Sequence, residues 1–497
     1  MLLAASITSF FTFRRPFSAH AVLLIFYLLT ACATPPKSTQ DSLPVKVPGA
    51  WTASTPNPAT TGPGEAPEGW EDWLEDFNTP VLFSLVQEAL EYNYDLRATA
   101  ARLEAARYDV VIAGADRLPQ VSGNFGAQRQ QRNFIGFPSG LSNGASSEET
   151  VTSTISDNFD LSLDLSWEFD LWGRLRDRKS AAIADFQAVT ADFEGARLSL
   201  AAQVVQSWLS VLEAQLRLYL IEKTAHSFQD NADLIQKRFD RGLSPALDLR
   251  LTRANAMTAH SAVYRQERIL DERLRDLAVL LGRYPDLNEF DFALSEDLPT
   301  LQTEAPVGAP VELLTRRPDL IAAERRLAAA GVRVQEARKA LLPNIALSAS
   351  GGTTAEDIED LVDSDFSVWT LAGQLIQPLF QGGRLTANVK RSEAVQKEVL
   401  ADYAGTALNA FQEVEAALAA ENLLAEEERR LLETADESIA AEILAQDRYE
   451  KGLTDITTVL ESQRRAFNSQ SEHLGVRLQR LINRVTLYLA LGGGFEE

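Results

Sequence analysis

The chain has 497 residues, an ordinary 45% of hydrophobic residues and a formal net charge of −23. That balance excludes the basic surface that nucleic acid or anionic lipid would attract, so no nucleic-acid partner is expected. The length admits either several compact domains or one structure built on unusually long helices.

At the N-terminus, Arg14 and Arg15 precede an apolar run from Ala21 to Leu29 that is too short to span a bilayer, the pattern of an export signal. The run ends at Leu29-Thr30-Ala31-Cys32, which holds the only cysteine and resembles the lipobox of bacterial lipoproteins. That resemblance makes residues 1–31 a signal peptide and Cys32 the lipidated first residue of the mature chain. Ala33, where aspartate would hold a lipoprotein in the inner membrane, implies sorting to the outer membrane. Cleavage leaves 45 basic against 70 acidic residues, a net charge of −25. An acyl anchor tethers a protein to outer-membrane lipid without spanning it. Residues 32–70 are rich in Pro, Thr, Ser and Gly and predict an extended tether with no core of its own, the folded part beginning near Trp70.

A helix is expected over about Ser84–Arg117, then strands over about 119–130 and 157–171. The second is the stronger. Phe159, Leu161, Leu163, Leu165, Trp167, Phe169 and Leu171 alternate with Asp160, Ser162, Asp164, Ser166, Glu168 and Asp170, so the strand has one apolar and one wet face. At about 3.3 Å per residue it runs about 43 Å, enough to cross a roughly 30 Å hydrocarbon layer when tilted by about 45°. No proline interrupts Arg176–Phe239, where Phe186, Val189, Phe193, Ala196, Leu200, Val204, Trp208 and Val211 recur at threes and fours. As one helix this segment would reach about 96 Å. It ends at Arg238-Phe239-Asp240-Arg241-Gly242-Leu243, and a return helix from Pro245 to Leu281 carries Leu270, Leu274, Leu277 and Leu281 at coiled-coil spacing.

After a linker over 293–310 the pattern is written again. Asp95-Leu96, Leu103, Ala113 and Leu118-Pro119 return as Asp319-Leu320, Leu327, Ala337 and Leu342-Pro343, all 224 residues on. Gly173-Arg174-Leu175, Arg238-Phe239, Gly242-Leu243 and Leu281-Gly282 return 210 residues on, as Gly383-Arg384-Leu385, Arg448-Tyr449, Gly452-Leu453 and Leu491-Gly492. A constant offset held across helix ends and turns defines two repeats, 71–292 and 311–497. The change of offset is absorbed by a longer hairpin loop, Gly136–Ser147, in the first. The second repeat predicts a helix over about Val311–Leu341, strands over about 343–353 and 366–380, a long helix over Leu385–Tyr449 and a return helix over Asp455–Leu491.

Four strands cannot close a barrel in lipid, where every backbone polar group must be paired and the smallest bacterial barrels need about eight. Closure must come from copies of the chain, and three copies would supply twelve strands.

The lipobox, the two repeats of helix, hairpin, long helix and return helix, and the paired Arg-aromatic-x-x-Gly-Leu turns together resemble the TolC-type outer-membrane factors of efflux systems. Arg316-Arg317-Pro318-Asp319-Leu320, Ala323-Glu324 and Leu341-Leu342-Pro343 resemble the signature of their NodT-like lipoprotein branch. The resemblance covers about residues 70–493. It implies a mainly α fold with a transmembrane β portion: a homotrimer with a shared 12-stranded β-barrel and a periplasmic α-barrel. It further implies a passive duct of an RND-type tripartite pump, docking on a periplasmic adaptor protein and an inner-membrane transporter, through which drugs, metals or other toxic solutes leave. The turns, with Arg238, Gly242, Leu243, Arg448, Gly452 and Leu453, are then the adaptor-docking tip. Counted from the turn glycines, Asp248 and Glu461 match acidic positions of the family's pore constriction, with Asp455 a third candidate. Thr454 and Thr458 depart from that pattern, standing where a basic and an acidic gate residue can occur.

An enzyme is the first alternative. The histidines, His20, His226, His260 and His473, are scattered, and the three outside the leader are read as lacking a metal-ligand partner at helical spacing. With no phosphate loop or nucleophile elbow either, no catalysis, cofactor or metal is expected. A structural coiled-coil lipoprotein would need the lipobox and heptads but not the strands. A channel for type I protein secretion would keep the fold, and the lipobox and the Pro318 signature favour efflux over it.

Overall fold

A computed structural model describes residues 34–45, 47–52, 70–77, 79–134, 152–286, 297–301 and 310–493. Cys32 and the Gly136–Ser147 loop lie outside them. Two compact units form. One draws on residues 113–183 and 335–386 with the segment up to Pro36, the other on 37–112, 184–334 and 387–497.

The chain runs α1 (Trp70–Glu75), α2 (Pro80–Tyr92), α3 (Tyr94–Ala115), β1 (Gln120–Phe134), β2 (Thr152–Phe169), α4 (Arg174–Asp240) and α5 (Ala246–Leu280). It continues as α6 (Leu313–Arg316), α7 (Pro318–Lys339), β3 (Asn344–Ala355), β4 (Ser367–Ile376), α8 (Arg384–Glu450) and α9 (Ile456–Ala490). The long helices of the two halves, α4 and α8, are 67 residues each and the return helices 35 each. At 1.5 Å per residue, α4 and α8 each reach about 100 Å.

The expected single helix over Ser84–Arg117 is two, broken at Asn93. Its backbone is extended, its side-chain carbonyl caps the amide of Leu96 at 3.0 Å, and its side-chain amide donates to the Leu280 carbonyl at 2.9 Å. In the second half the break falls 224 residues on, at Arg317, which Pro318 keeps out of the helical region. Arg317 donates to the Ala490 carbonyl at 3.0 Å. Each repeat therefore ties the break before its main short helix to the end of its return helix.

In the first unit, four strands form one antiparallel sheet in the order β1-β2-β3-β4. β1 and β2 run further than expected, to Phe134 and from Thr152, and these extensions pair only with each other. β4 stops at Ile376 rather than Phe380, because Pro378 has no amide to give a ladder.

In the second unit, apolar stripes of the helices bury in clusters, a small one joining Ala188, Ala191 and Ala322 and three larger ones. One joins Trp73, Phe77, Leu82, Trp208, Leu212, Leu277 and Leu281; another Leu313, Leu320, Tyr403, Phe411, Val414 and Leu491; a third, near the helix turns, Ile235, Leu249, Tyr449, Ile456 and Val459. The described part of the linker is not loose. Leu298 is buried in the first cluster, and Asp297 pairs with Arg477 at 2.7 Å.

Folded contacts also begin before Trp70. Trp51 is 5% exposed and packs on Phe411 with the ring centroids 6.3 Å apart, while Leu43, Val45 and Val47 lie against the same cluster. The segment is extended, as its composition requires, but uses the second repeat's core as its own.

Candidate functional site

Register decides what each face of the sheet offers. Val121, Leu165, Ala349 and Leu371 stand in one cross-strand row, and Ser122, Asp164, Ser350 and Thr370 in the next. One face therefore carries Val121, Phe125, Leu161, Leu163, Trp369, Leu371 and Leu375, all large, apolar and exposed. The other carries Asn124, Asp160, Ser162, Asp164, Ser348 and Gln374. The apolar run of β2 spans Phe159–Phe169, since the next residue of that parity, Asp157, faces Arg129 with 3.6 Å between their charged groups. Eleven residues tilted by about 45° give a band about 25 Å tall, the height of an outer-membrane barrel's lipid face. β1 and β4 are the edges, and their outer sides have no partner strand among the described residues.

Where strands meet helices, the same unit is clamped by charge. Arg178 bridges Asp116 and Glu336, both at 2.9 Å, Lys339 pairs with Asp177 at 2.5 Å, and Arg174 grips both oxygens of Glu168 at 2.8 Å. Trp167 and Trp172 donate their indole N–H to the carbonyls of Arg117 and Pro343. These bonds hold the last residues of the short helices against the first turn of α4.

The two helix turns have the same construction. Gly242 and Gly452 sit at φ of +72° and +71°, the left-handed region that glycine enters without strain, and the following leucine amides reach back to the Arg238 and Arg448 carbonyls at 2.8 Å. Leu243 and Leu453 are exposed. The paired Arg-aromatic motif gains a purpose here. The Arg238 guanidinium of the first repeat lies 5.1 Å from the ring centroid of Tyr449 in the second, so the two hairpins meet through their motifs. Arg448 is exposed. Among the acidic candidates, Asp248 is half-buried in the first turn of α5. Asp455 caps α9, accepting from the Thr458 amide at 2.8 Å and hydroxyl at 2.7 Å, bonds that hold its carboxyl below the usual carboxylate range. Thr458 thus serves the cap. Glu461 is exposed and paired with Arg464 at 2.5 Å, a surface bond worth about 0–1 kcal/mol.

One sequence reading needs correction. His226 does have a partner at helical spacing, Asp230, 3.5 Å away with both side chains exposed. It remains a pair, and no group of three or more metal-ligating side chains occurs among the described residues.

Sequence reasoning missed two polar assemblies in the helical unit. In the first, Arg484 is 2% exposed and donates to Asp76 at 3.0 Å and Glu421 at 2.7 Å, while the Tyr488 hydroxyl donates to Asp76 at 2.9 Å and its ring stacks on Trp73 at 5.8 Å. Burial is the strongest single influence and opposes the Arg484 charge, but the hydrogen bonds and attraction of Glu421 and Tyr488 together outweigh it and the pKa rises. The repeat offset held the signal, since 210 residues earlier stand Leu274, Val211 and Ala278 in place of Arg484, Glu421 and Tyr488. In the second assembly, the buried carboxylate of Glu324 accepts from the amide of Thr39 and, at 2.9 Å, from its hydroxyl. Its signal was the apolar alternation Leu43, Val45, Val47.

Known proteins match along the whole of this architecture. The family model of outer membrane efflux proteins matches residues 85–283 and 309–493. The pyoverdine export outer membrane protein OpmQ of Pseudomonas putida is 34% identical over 96% of this chain and 98% of its own. Outer membrane protein OprJ of Pseudomonas aeruginosa is 33% identical over 97% of both chains. Among solved structures, the outer-membrane channel OprN superposes with a TM-score of 0.80 at 28% identity, covering 93% of this chain and 99% of that one. A membrane protein from Pseudomonas aeruginosa does so with a TM-score of 0.80 at 32% identity, covering 93% and 100%. The exposed apolar sheet face, the long paired helices and these likenesses lead to one conclusion: the chain belongs to the outer membrane efflux protein family and is an outer-membrane channel subunit of an efflux system.

Proposed function

We propose that three copies of the chain assemble as a homotrimer into one duct, each lending four strands to a 12-stranded barrel and its long helices to a periplasmic tunnel. The observation that carries this reading is the sheet itself: an apolar exposed face, a polar opposite face and two unpaired edges. A lone sheet of this kind would leave edge amides and carbonyls in lipid, so β4 of one copy must pair with β1 of the next. The duct is passive and performs no reaction. It receives toxic small molecules from an inner-membrane transporter of the RND type through a periplasmic adaptor, which docks at the Gly242 and Gly452 turns on Arg238, Leu243, Arg448 and Leu453. Cys32 carries the lipid anchor in the outer membrane. Asp248 and Glu461, with the capping Asp455 at the start of the same helix as Glu461, give the tip a ring of carboxylates that attracts cations.

Single-channel recording in planar bilayers tests the reading. The trimer is expected to form one cation-selective pore, and Asp248→Ala with Glu461→Ala to raise its conductance and weaken that selectivity. Unchanged current and selectivity would remove the constriction, and a purified species without pore activity would remove the channel.

A further inference from the structure

The second repeat carries a feature that a passive duct does not require: a buried acid whose donors come from the far N-terminus. Glu324 lies in α7 at 2% exposure, and its carboxylate accepts from the Thr39 amide, the Thr39 hydroxyl and, at 2.5 Å, Arg325. Beside it Tyr403 is fully buried, its hydroxyl without a hydrogen-bond partner among the described residues. Past Thr39 the chain continues as a strap. Gln40 donates to the Leu314 carbonyl at 3.1 Å, Leu43, Val45 and Val47 turn one side of the extended backbone to the core, and Trp51 plugs in against Phe411. The Thr52 amide and hydroxyl close the far end on Glu415, both at 2.8 Å. At the corresponding places of the first repeat stand Ala100, Ala201 and Val205 where the second has Glu324, Phe411 and Glu415, so the first repeat lacks the two carboxylates and the ring that hold the strap.

We propose that this groove is a docking site for the chain's own N-terminal strap, with Glu324 as its socket. Thr39 follows Cys32 by seven residues, so the socket fixes the segment that bears the anchor to the body of the protein. A buried carboxylate demands charge-matched donors, and Thr39 supplies two from one residue, which sets the register of the strap. The consequence for anchoring rests on Cys32 being acylated; the socket does not.

Hydrogen exchange and tryptic cleavage of the purified full-length trimer test it, Lys37 and Lys46 being cleavage sites within the strap. In the wild type the Thr39 amide is expected to be protected and cleavage slow. Thr39→Pro removes the amide hydrogen and the hydroxyl but keeps the carbonyl that accepts from Ser42 in the short 3-10 turn Gln40–Ser42, and is expected to raise strap cleavage and exchange more than tenfold. Glu324→Leu is expected to do the same, while Tyr264→Phe, exposed on α5 outside the groove, leaves both unchanged. A wild-type strap cut and exchanged as fast as Thr39→Pro would overturn the proposal. The mass of the N-terminal peptide reports acylation separately, so a protected strap on an unacylated chain would sink the anchor and keep the socket.

Discussion

The two repeats share the lengths of their long and return helices, their turn glycines and their helix breaks, yet differ in the residues that stand at equivalent positions. Where the first packs Val211, Leu274 and Ala278, the second holds Glu421, Arg484 and Tyr488; where the first has Ala100 and Val205, the second has Glu324 and Glu415. Every charge of the second repeat so placed, except Arg484, is an acid, and the set draws partners from residues preceding the first repeat's main helices, Thr39, Thr52 and Asp76. A duplicated plan thus diverged by polarising one copy to receive the chain's N-terminal segments. At these positions the first copy stays apolar, and Trp73 and Phe77 pack in its cluster.

The largest effect should come from breaking the buried ionic group. Arg484→Leu makes the second repeat resemble the first but takes the buried cation from between Asp76 and Glu421, and is expected to lower stability by about 3–5 kcal/mol. Adding Asp76→Leu and Glu421→Leu should recover most of that loss, because the buried charges then vanish together. Thermal loss of helical ellipticity in detergent reads both. If Arg484→Leu alone were neutral, the charges would not be the distinguishing feature of that copy.

A second contrast runs along the first repeat rather than between the two. Gly242 and Gly282 have the same φ, +72° and +73°, but an added Cβ meets nothing at Gly242 and lies 2.5 Å from the Tyr92 carbonyl oxygen at Gly282. Gly242→Ala should cost about 1–2 kcal/mol from the left-handed backbone alone, and Gly282→Ala about 3 kcal/mol once the overlap is added. Equal melting shifts would mean that the helix end at Leu280 is free to move away from α2.

Much of this architecture was legible in the residues. The alternation of Phe159–Phe169 and the proline-free runs ending at Gly242 and Gly452 follow from local physics, period two for a half-wet strand and period 3.6 for a packed helix. The break at Asn93 was not, because a polar side chain that caps one helix and bonds another acts through a partner 187 residues away. The strap was hidden for a similar reason. Its prolines and threonines read as a tether, and only the second repeat's groove turns three alternating apolar residues into a buried edge. The three acidic tip candidates rested on the family resemblance, counted from the turn glycines; that Asp455 is a helix cap shows only in its bonds to the Thr458 amide and hydroxyl.

The smallest effect is an alkaline one. Burial, and next the Asp76 charge, push the Tyr488 phenol from 10.0 up to about 12, so the folded state favours the neutral form. A raised value in the folded state means that this stabilisation is complete below pH 10 and is lost as pH rises through about 12. Tyr488→Phe keeps the ring over Trp73, should cost about 1 kcal/mol at neutral pH through the missing hydroxyl, and should flatten the fall of melting temperature above pH 10. Ala278 occupies the matching place in the first repeat, so no such step arises there. An alkaline slope that Tyr488→Phe leaves unchanged would move its origin away from the second repeat and remove the phenol from the group that distinguishes it.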